Sequence, residues 1–349
     1  MSGNLERRYR RVLRLLPRWY REQWEEDMVA AFLDSWLTGD PEADEFINKA
    51  AGPGLTETAS VARLATRLYL GGAGAPRRHF AWGQAARRAV LAVTLVQAVR
   101  GLDVLVLASW SRHIFGWLPA PPGSLVVATP DGVLPAAVWY LVAYAWVVVF
   151  VTLVLRYYRV AQVIAALAIV PDLVWLVQGQ FTGRLPAPSI GPWAFWFLLN
   201  LAPVLGMTAF YRDALAGPRW PWLLALPANY LLVVVPLLAL QFTGNSGWVP
   251  DFSGLYCLLV GLACVAHAPR ALSRRAAGSG VWSLSLAVLA ANAGAYRIFS
   301  IADYVHDPHL IAVSLVELLI LAAAVALIVP DAARARAASS RPAPYRQPG

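Results

Sequence analysis

The chain has 349 residues, of which 58% are apolar and 14% charged, with a mean hydropathy of +0.54. A soluble protein of this length carries about 25% charged residues, so the composition excludes a water-soluble globule and points to an all-α membrane protein. The net charge of +9 raises nucleic acid as a partner, but the arginines fall where they orient a membrane protein, so no nucleic acid is expected. Cys257 and Cys264 lie in one apolar segment, which excludes a disulfide framework and a thiolate zinc site.

Residues 1–70 are charged and helical in pattern. Arg7, Arg8, Arg10, Arg11, Arg14, Arg18 and Arg21 come with no apolar run behind them, so no signal peptide is expected and the N-terminus belongs in the cytoplasm. In the first helix Leu5, Tyr9, Val12, Leu13 and Leu16 form one stripe on a basic cylinder. Pro17 suits the first turn of a second helix, which sets Tyr20, Trp24, Met28, Phe32 and Trp36 four apart and ends at Gly39 to Pro41. A third helix over about 55–70 carries Val61, Leu64 and Leu68. Three amphipathic helices can share one small core, so residues 1–70 are expected to form a cytoplasmic helical domain. Residues 71–88 read as a Gly-rich, then basic, linker.

From residue 89 to 330, apolar stretches long enough to cross about 30 Å of hydrocarbon recur with short breaks. Eight are expected: 89–110, 134–155, 160–178, 192–211, 220–241, 252–268, 281–300 and 309–329. With the N-terminus inside, the cytoplasmic breaks hold Arg156 and Arg159, then Arg212 and Arg219, then Arg270, Arg274 and Arg275. The tail adds Arg334, Arg336, Arg341 and Arg346, whereas the external breaks hold only Arg112 and Arg184. That asymmetry sets a polytopic bundle in the inner membrane with both termini cytoplasmic. Residues 331–349, rich in Pro, Ser and Arg, read as a disordered tail.

The run Leu5, Tyr9-Arg10, Leu13-Arg14-Leu15-Leu16-Pro17, Tyr20-Arg21, Glu25-Glu26 and Met28 resembles the N-terminus of many uncharacterised actinobacterial integral membrane proteins. It also resembles the short helical domain preceding the permease core of some ABC-type export subunits encoded beside PadR-type regulators. The resemblance implies a docking or signalling domain coupled to a cytosolic regulator, with Tyr9, Arg10, Tyr20, Arg21, Trp24, Glu25 and Met28 as docking candidates. The chain departs from those permeases between its first two spans, residues 111–133, a short break where they carry a large extracytoplasmic domain.

Charges at membrane depth are costly, so Arg100, Asp103, Asp172, Arg297 and Glu317 form a candidate intramembrane cluster. Arg100 near the bilayer centre is expected to meet a carboxylate from another helix, Asp172 first and Glu317 second. Asn200, Asn229 and Asn292 read as hydrogen bonds between helices, and Trp139 and Trp193 as interfacial anchors. Gln180-Phe181-Thr182-Gly183 and Gln241-Phe242-Thr243-Gly244 repeat at two span ends, and His306 with His309 has a weak metal spacing. No nucleotide or hydrolase motif is present, so neither an enzyme nor a cofactor is expected. Two functions remain: a sensor or scaffold coupling an envelope or lipid signal to a cytosolic partner, or a small secondary transporter or permease with an outward-facing polar cavity.

Overall fold

In the computed structural model, the described residues are 3–36, 40, 45–46, 52–71, 77–111, 114, 136–181, 190–210, 218–236, 252–273, 279–301 and 307–339. Every element among them is helical. Chain contacts divide the protein into a first unit up to Gln84 and a second that takes in Ala85–Phe210 and the helices beyond residue 214.

The first unit contains α1 (Asn4–Leu13), α2 (Arg18–Trp36) and α3 (Leu55–Tyr69). The apolar stripe of α1 is buried at Leu5, Tyr9 and Leu13, and it packs with Leu16, Val29, Phe32, Val61, Ala65 and Leu68. Tyr9 stacks flat on Phe32, with ring centroids 3.9 Å apart and planes 6° from parallel. Tyr9 is therefore a core residue, and burial raises its hydroxyl pKa. Arg10 ties α1 to α2 by donating to Glu6 on its own helix and to both carboxylate oxygens of Glu26, at 2.8 and 2.9 Å. Those bonds hold the Glu26 carboxyl below its ordinary pKa. Arg21 approaches Glu25 at 3.9 Å, and Tyr20 and Met28 are partly buried against the core.

Trp24 departs from the expected aromatic stripe, because it is 43% exposed. The reason is geometric. Residues four apart on a helix drift by about 40° per step, so a face centred on Val29 and Phe32 leaves Trp24, two steps away, turned out of the contact.

The expected linker differs too. A single helix, α4, runs from Arg77 to Ser111, so the basic half of the segment 71–88 is helical, while 72–76 lie outside the described residues. The second unit continues with α5 (Ala136–Val154), α6 (Tyr158–Ala168), α7 (Val170–Phe181) and α8 (Ile190–Gly206). It is completed by α9 (Trp220–Asn229), α10 (Phe252–Leu272), α11 (Ser279–Ile301) and α12 (Pro308–Ser339). The last helix passes through Pro330 and extends to Ser339, so the first residues of the expected disordered tail are helical.

Among the described residues, six helical stretches are long and apolar enough to cross a membrane: His79–Trp110, Ala137–Val154, Tyr158–Gln178, Phe252–Leu272, Gly280–Ile301 and Pro308–Arg334. Trp193–Ala209 and Trp220–Val234, where two further spans were expected, are shorter apolar helices. Leu141, Val163, Leu198, Leu232, Leu262 and Leu319 are among the large apolar side chains left exposed, a surface that water would not tolerate at this extent. The chain is a multi-pass membrane protein.

Local sequence explains where these helices bend and touch. Ala161, Ala165 and Ala168 line one face of α6 and are buried against Val149 and Leu153 of α5, since small residues let membrane helices approach closely. Pro171 has no N–H to donate, and the helix breaks at Ile169, between α6 and α7. Pro227 has a similar effect in α9, which passes into a π-turn over Tyr230–Val234.

Phe32→Ala should destabilise the first unit by about 3 to 5 kcal/mol, whereas Trp24→Ala should leave it nearly unchanged. Amide exchange of α1 in the full-length protein measures the difference, and equal protection in the two variants would contradict this core assignment.

Candidate functional site

Gln97 and Arg100 lie in the second half of α4, and Trp139 to Trp146 run from the start of α5 to just past its middle. Asp172 is in the first turn of α7, while Trp193 and Trp196 are in the first half of α8 and Asn200 is just past its middle. Phe252 to Tyr256 open α10, and Asn292 to Ser300 lie toward the end of α11. These segments of six helices come together in the bundle. They enclose a cavity of about 480 Å³, within the size range of small-molecule sites.

The walls are aromatic. Trp196 meets Tyr296 edge-on at 5.2 Å and Phe299 at 5.1 Å, and Trp193 contacts Trp175 at 4.0 Å. A polar knot joins three helices: Gln97 Nε2 donates to Asn200 Oδ1 at 2.8 Å and lies 2.7 Å from the Tyr296 hydroxyl, which in turn donates to Asn200 Oδ1 at 3.1 Å. Asn200 Nδ2 faces Asp172 Oδ2 at 3.5 Å and donates to the Trp196 carbonyl at 3.2 Å. The Arg100 guanidinium lies over the Trp196 ring, 4.8 Å from its centroid, a contact worth up to about 2 kcal/mol when desolvated. Gly101 permits the close approach beneath it, because a Cβ there would run into the carbonyl of Ala143 on α5.

The five intramembrane charges fall into three places. Arg100 and Asp172 both line the cavity, yet no ion pair closes on Arg100 among the described residues. Glu317 is committed elsewhere, correcting its expected role as second partner of Arg100. It pairs with Arg297 at 2.6 Å, the two side chains being 6% and 2% exposed. Asp103, one turn beyond Arg100 on α4, is not among the cavity-lining residues.

The Arg297–Glu317 pair stands directly behind the cavity wall. Arg297 Nη1 donates to Ser253 Oγ at 3.1 Å, and Ser253 and Ser300, hydrogen-bonded at 2.8 Å, both face the cavity. Gly254 makes room for the carboxylate, since a Cβ at that position would sit 2.7 Å from both Glu317 oxygens.

Residue-by-residue reading of the chain missed the aromatic and amide lining. Trp139 and Trp193, taken as interfacial anchors, line the cavity, as do Asn200 and Asn292. One signal was available. Trp193, Trp196 and Asn200 fall at i, i+3 and i+7 on α8, and Asn292, Tyr296 and Phe299 at i, i+4 and i+7 on α11, so each helix presents one aromatic and amide face.

Another polar chain crosses the other end of α10 to α12. His267 Nε2 lies 3.1 Å from Ser283 Oγ, and Ser283 donates to Asp331 Oδ2 at 2.8 Å. The serine sits between histidine and carboxylate with its proton directed at Asp331. His306 and both copies of the Gln-Phe-Thr-Gly repeat, apart from Gln180 and Phe181, lie outside the described residues, and those residues contain no metal-holding cluster.

Glu317→Ala should cost about 3 to 5 kcal/mol by leaving Arg297 buried without a counter-charge. Gly254→Ala should be destabilising in the wild-type background and close to neutral in Glu317→Ala, where the clashing carboxylate is gone. Thermal melting of the four proteins in detergent completes the cycle, and strict additivity would show that Gly254 has no special role toward Glu317.

No family model matches the chain, and no curated protein or solved structure matches it either.

Proposed function

We propose that the protein is a non-enzymatic membrane sensor that receives a small molecule in the bundle cavity and reports it to a cytosolic partner through the N-terminal helices. The cavity is the observation behind this reading. Aromatic walls, amides and two opposite charges without a mutual ion pair are drawn from six helices to one place, a costly arrangement at membrane depth unless it is used. The N-terminal helices have their own core and a charged exterior, which suits docking to a soluble regulator of the kind the sequence resemblance implies.

The topology that fits is eight spans with both termini in the cytoplasm. Trp193–Ala209 and Trp220–Val234 are then the fourth and fifth crossings, at about 1.5 Å of rise per residue somewhat shorter than the hydrocarbon. The arginine-poor end, where the cavity lies, faces outward. A second reading, a small secondary transporter, is favoured by the break between α6 and α7, which falls three residues before Asp172, because transporters build their sites on interrupted helices.

A reporter active only outside the cytoplasm should be silent when fused after Arg346 and active when inserted near Asn245; activity of the tail fusion would sink the eight-span topology. Separately, affinity purification from mild detergent should retain a stoichiometric soluble partner with the full chain and lose it on deletion of residues 1–70. Equal recovery from the two proteins would remove the docking role and leave the transporter reading.

A further inference from the structure

Opposite charges facing one low-dielectric cavity attract each other, and here no ion pair joins them among the described residues. Trp196 takes the Arg100 guanidinium on its ring, and Asn200, one turn further along α8, faces the Asp172 carboxylate. That turn corresponds to about 6 Å of rise. Asn200 is itself tied to Gln97 and Tyr296, and its amide cannot swing away from Asp172 without breaking both bonds.

A ligand with one charge would satisfy Arg100 or Asp172 and leave the other without a counter-charge from the ligand, beside only the Trp196 ring or the Asn200 amide. A ligand with both would satisfy each, the anionic group forking onto the guanidinium and the ammonium meeting the carboxylate between aromatic faces that also attract cations. We infer that the cavity binds a small zwitterion, an ammonium and a carboxylate or phosphate carried a few bonds apart on an aromatic or other apolar body. This deepens the proposed sensor function and rests on its premise that the cavity is a ligand site. An aromatic amino acid and the headgroup of a zwitterionic lipid share this chemistry.

The test is calorimetric binding to the full chain in an uncharged maltoside detergent, with five probes. L-tryptophan carries both charges, tryptamine only the cation, 3-indolepropionate only the anion and indole neither, while dihexanoylphosphatidylethanolamine supplies the lipid form. At least one zwitterion should bind about tenfold or more tighter than tryptamine and 3-indolepropionate, the loss expected when one charge-assisted contact is removed. Tightest binding by L-tryptophan identifies a free amino-acid ligand, and tightest binding by the short-chain lipid identifies a membrane source.

Asp172→Asn should erase the advantage over 3-indolepropionate and Arg100→Gln the advantage over tryptamine. If either variant fails to fold, the wild-type ranking of the five probes still decides. Binding of indole or of one singly charged probe as tightly as both zwitterions would overturn the zwitterion and leave the cavity as a ligand site. No binding by any probe, with no change in melting when Asn292→Trp fills the cavity, would overturn both.

Discussion

The buried ion pair between Arg297 and Glu317 constrains the rest of the bundle. A guanidinium and a carboxylate that are almost fully hidden can persist in a membrane only in contact, because removing either leaves a charge with no water to solvate it. Contact in turn requires that α11 and α12 meet at that level, and that α10 offer no side chain where the carboxylate passes. Gly254 meets that requirement, and below it Cys257, Val260, Cys264, Ala293, Leu321, Ala324 and Ile328 close a core of small and medium residues among the three helices.

That three-helix block forms one wall of the cavity, with Ser253 and Ser300 relaying its hydrogen bonds to the surface of the site. The opposite wall obeys a different rule. Arg100 lies over Trp196 and Asp172 faces the Asn200 amide, with no ion pair joining the two among the described residues, so the cavity holds two opposite charges beside the satisfied pair. The first arrangement is satisfied within the fold; the second is what the proposed ligand would meet.

The N-terminal helices pack around an apolar core of their own. Their core is a stripe of leucines and a stacked Tyr9–Phe32 pair, and their charges are arranged around it in pairs such as Arg10 with Glu6 and Glu26. Of the residues singled out for docking, Tyr9 is used internally and Arg10 is engaged with carboxylates, whereas Trp24 presents its ring to solvent.

Sequence alone determined the membrane class, the helical content and the positions of α1, α2 and α3, because hydropathy and a 3.6-residue period are local properties that every window of the chain carries. It also singled out Arg100, Asp103, Asp172, Arg297 and Glu317, since a charge inside an apolar stretch is visible residue by residue. Tertiary structure decided which charges meet. Arg297, Glu317 and Gly254 come from three helices, and nothing in their spacing reveals that a missing side chain on one makes room for a carboxylate from another. Likewise Trp193 and Trp139 look like interfacial anchors in sequence, and only the convergence of α4, α5, α7, α8, α10 and α11 turns them into cavity walls. A helix face is written in the chain, but the partner of that face is fixed by how the helices pack.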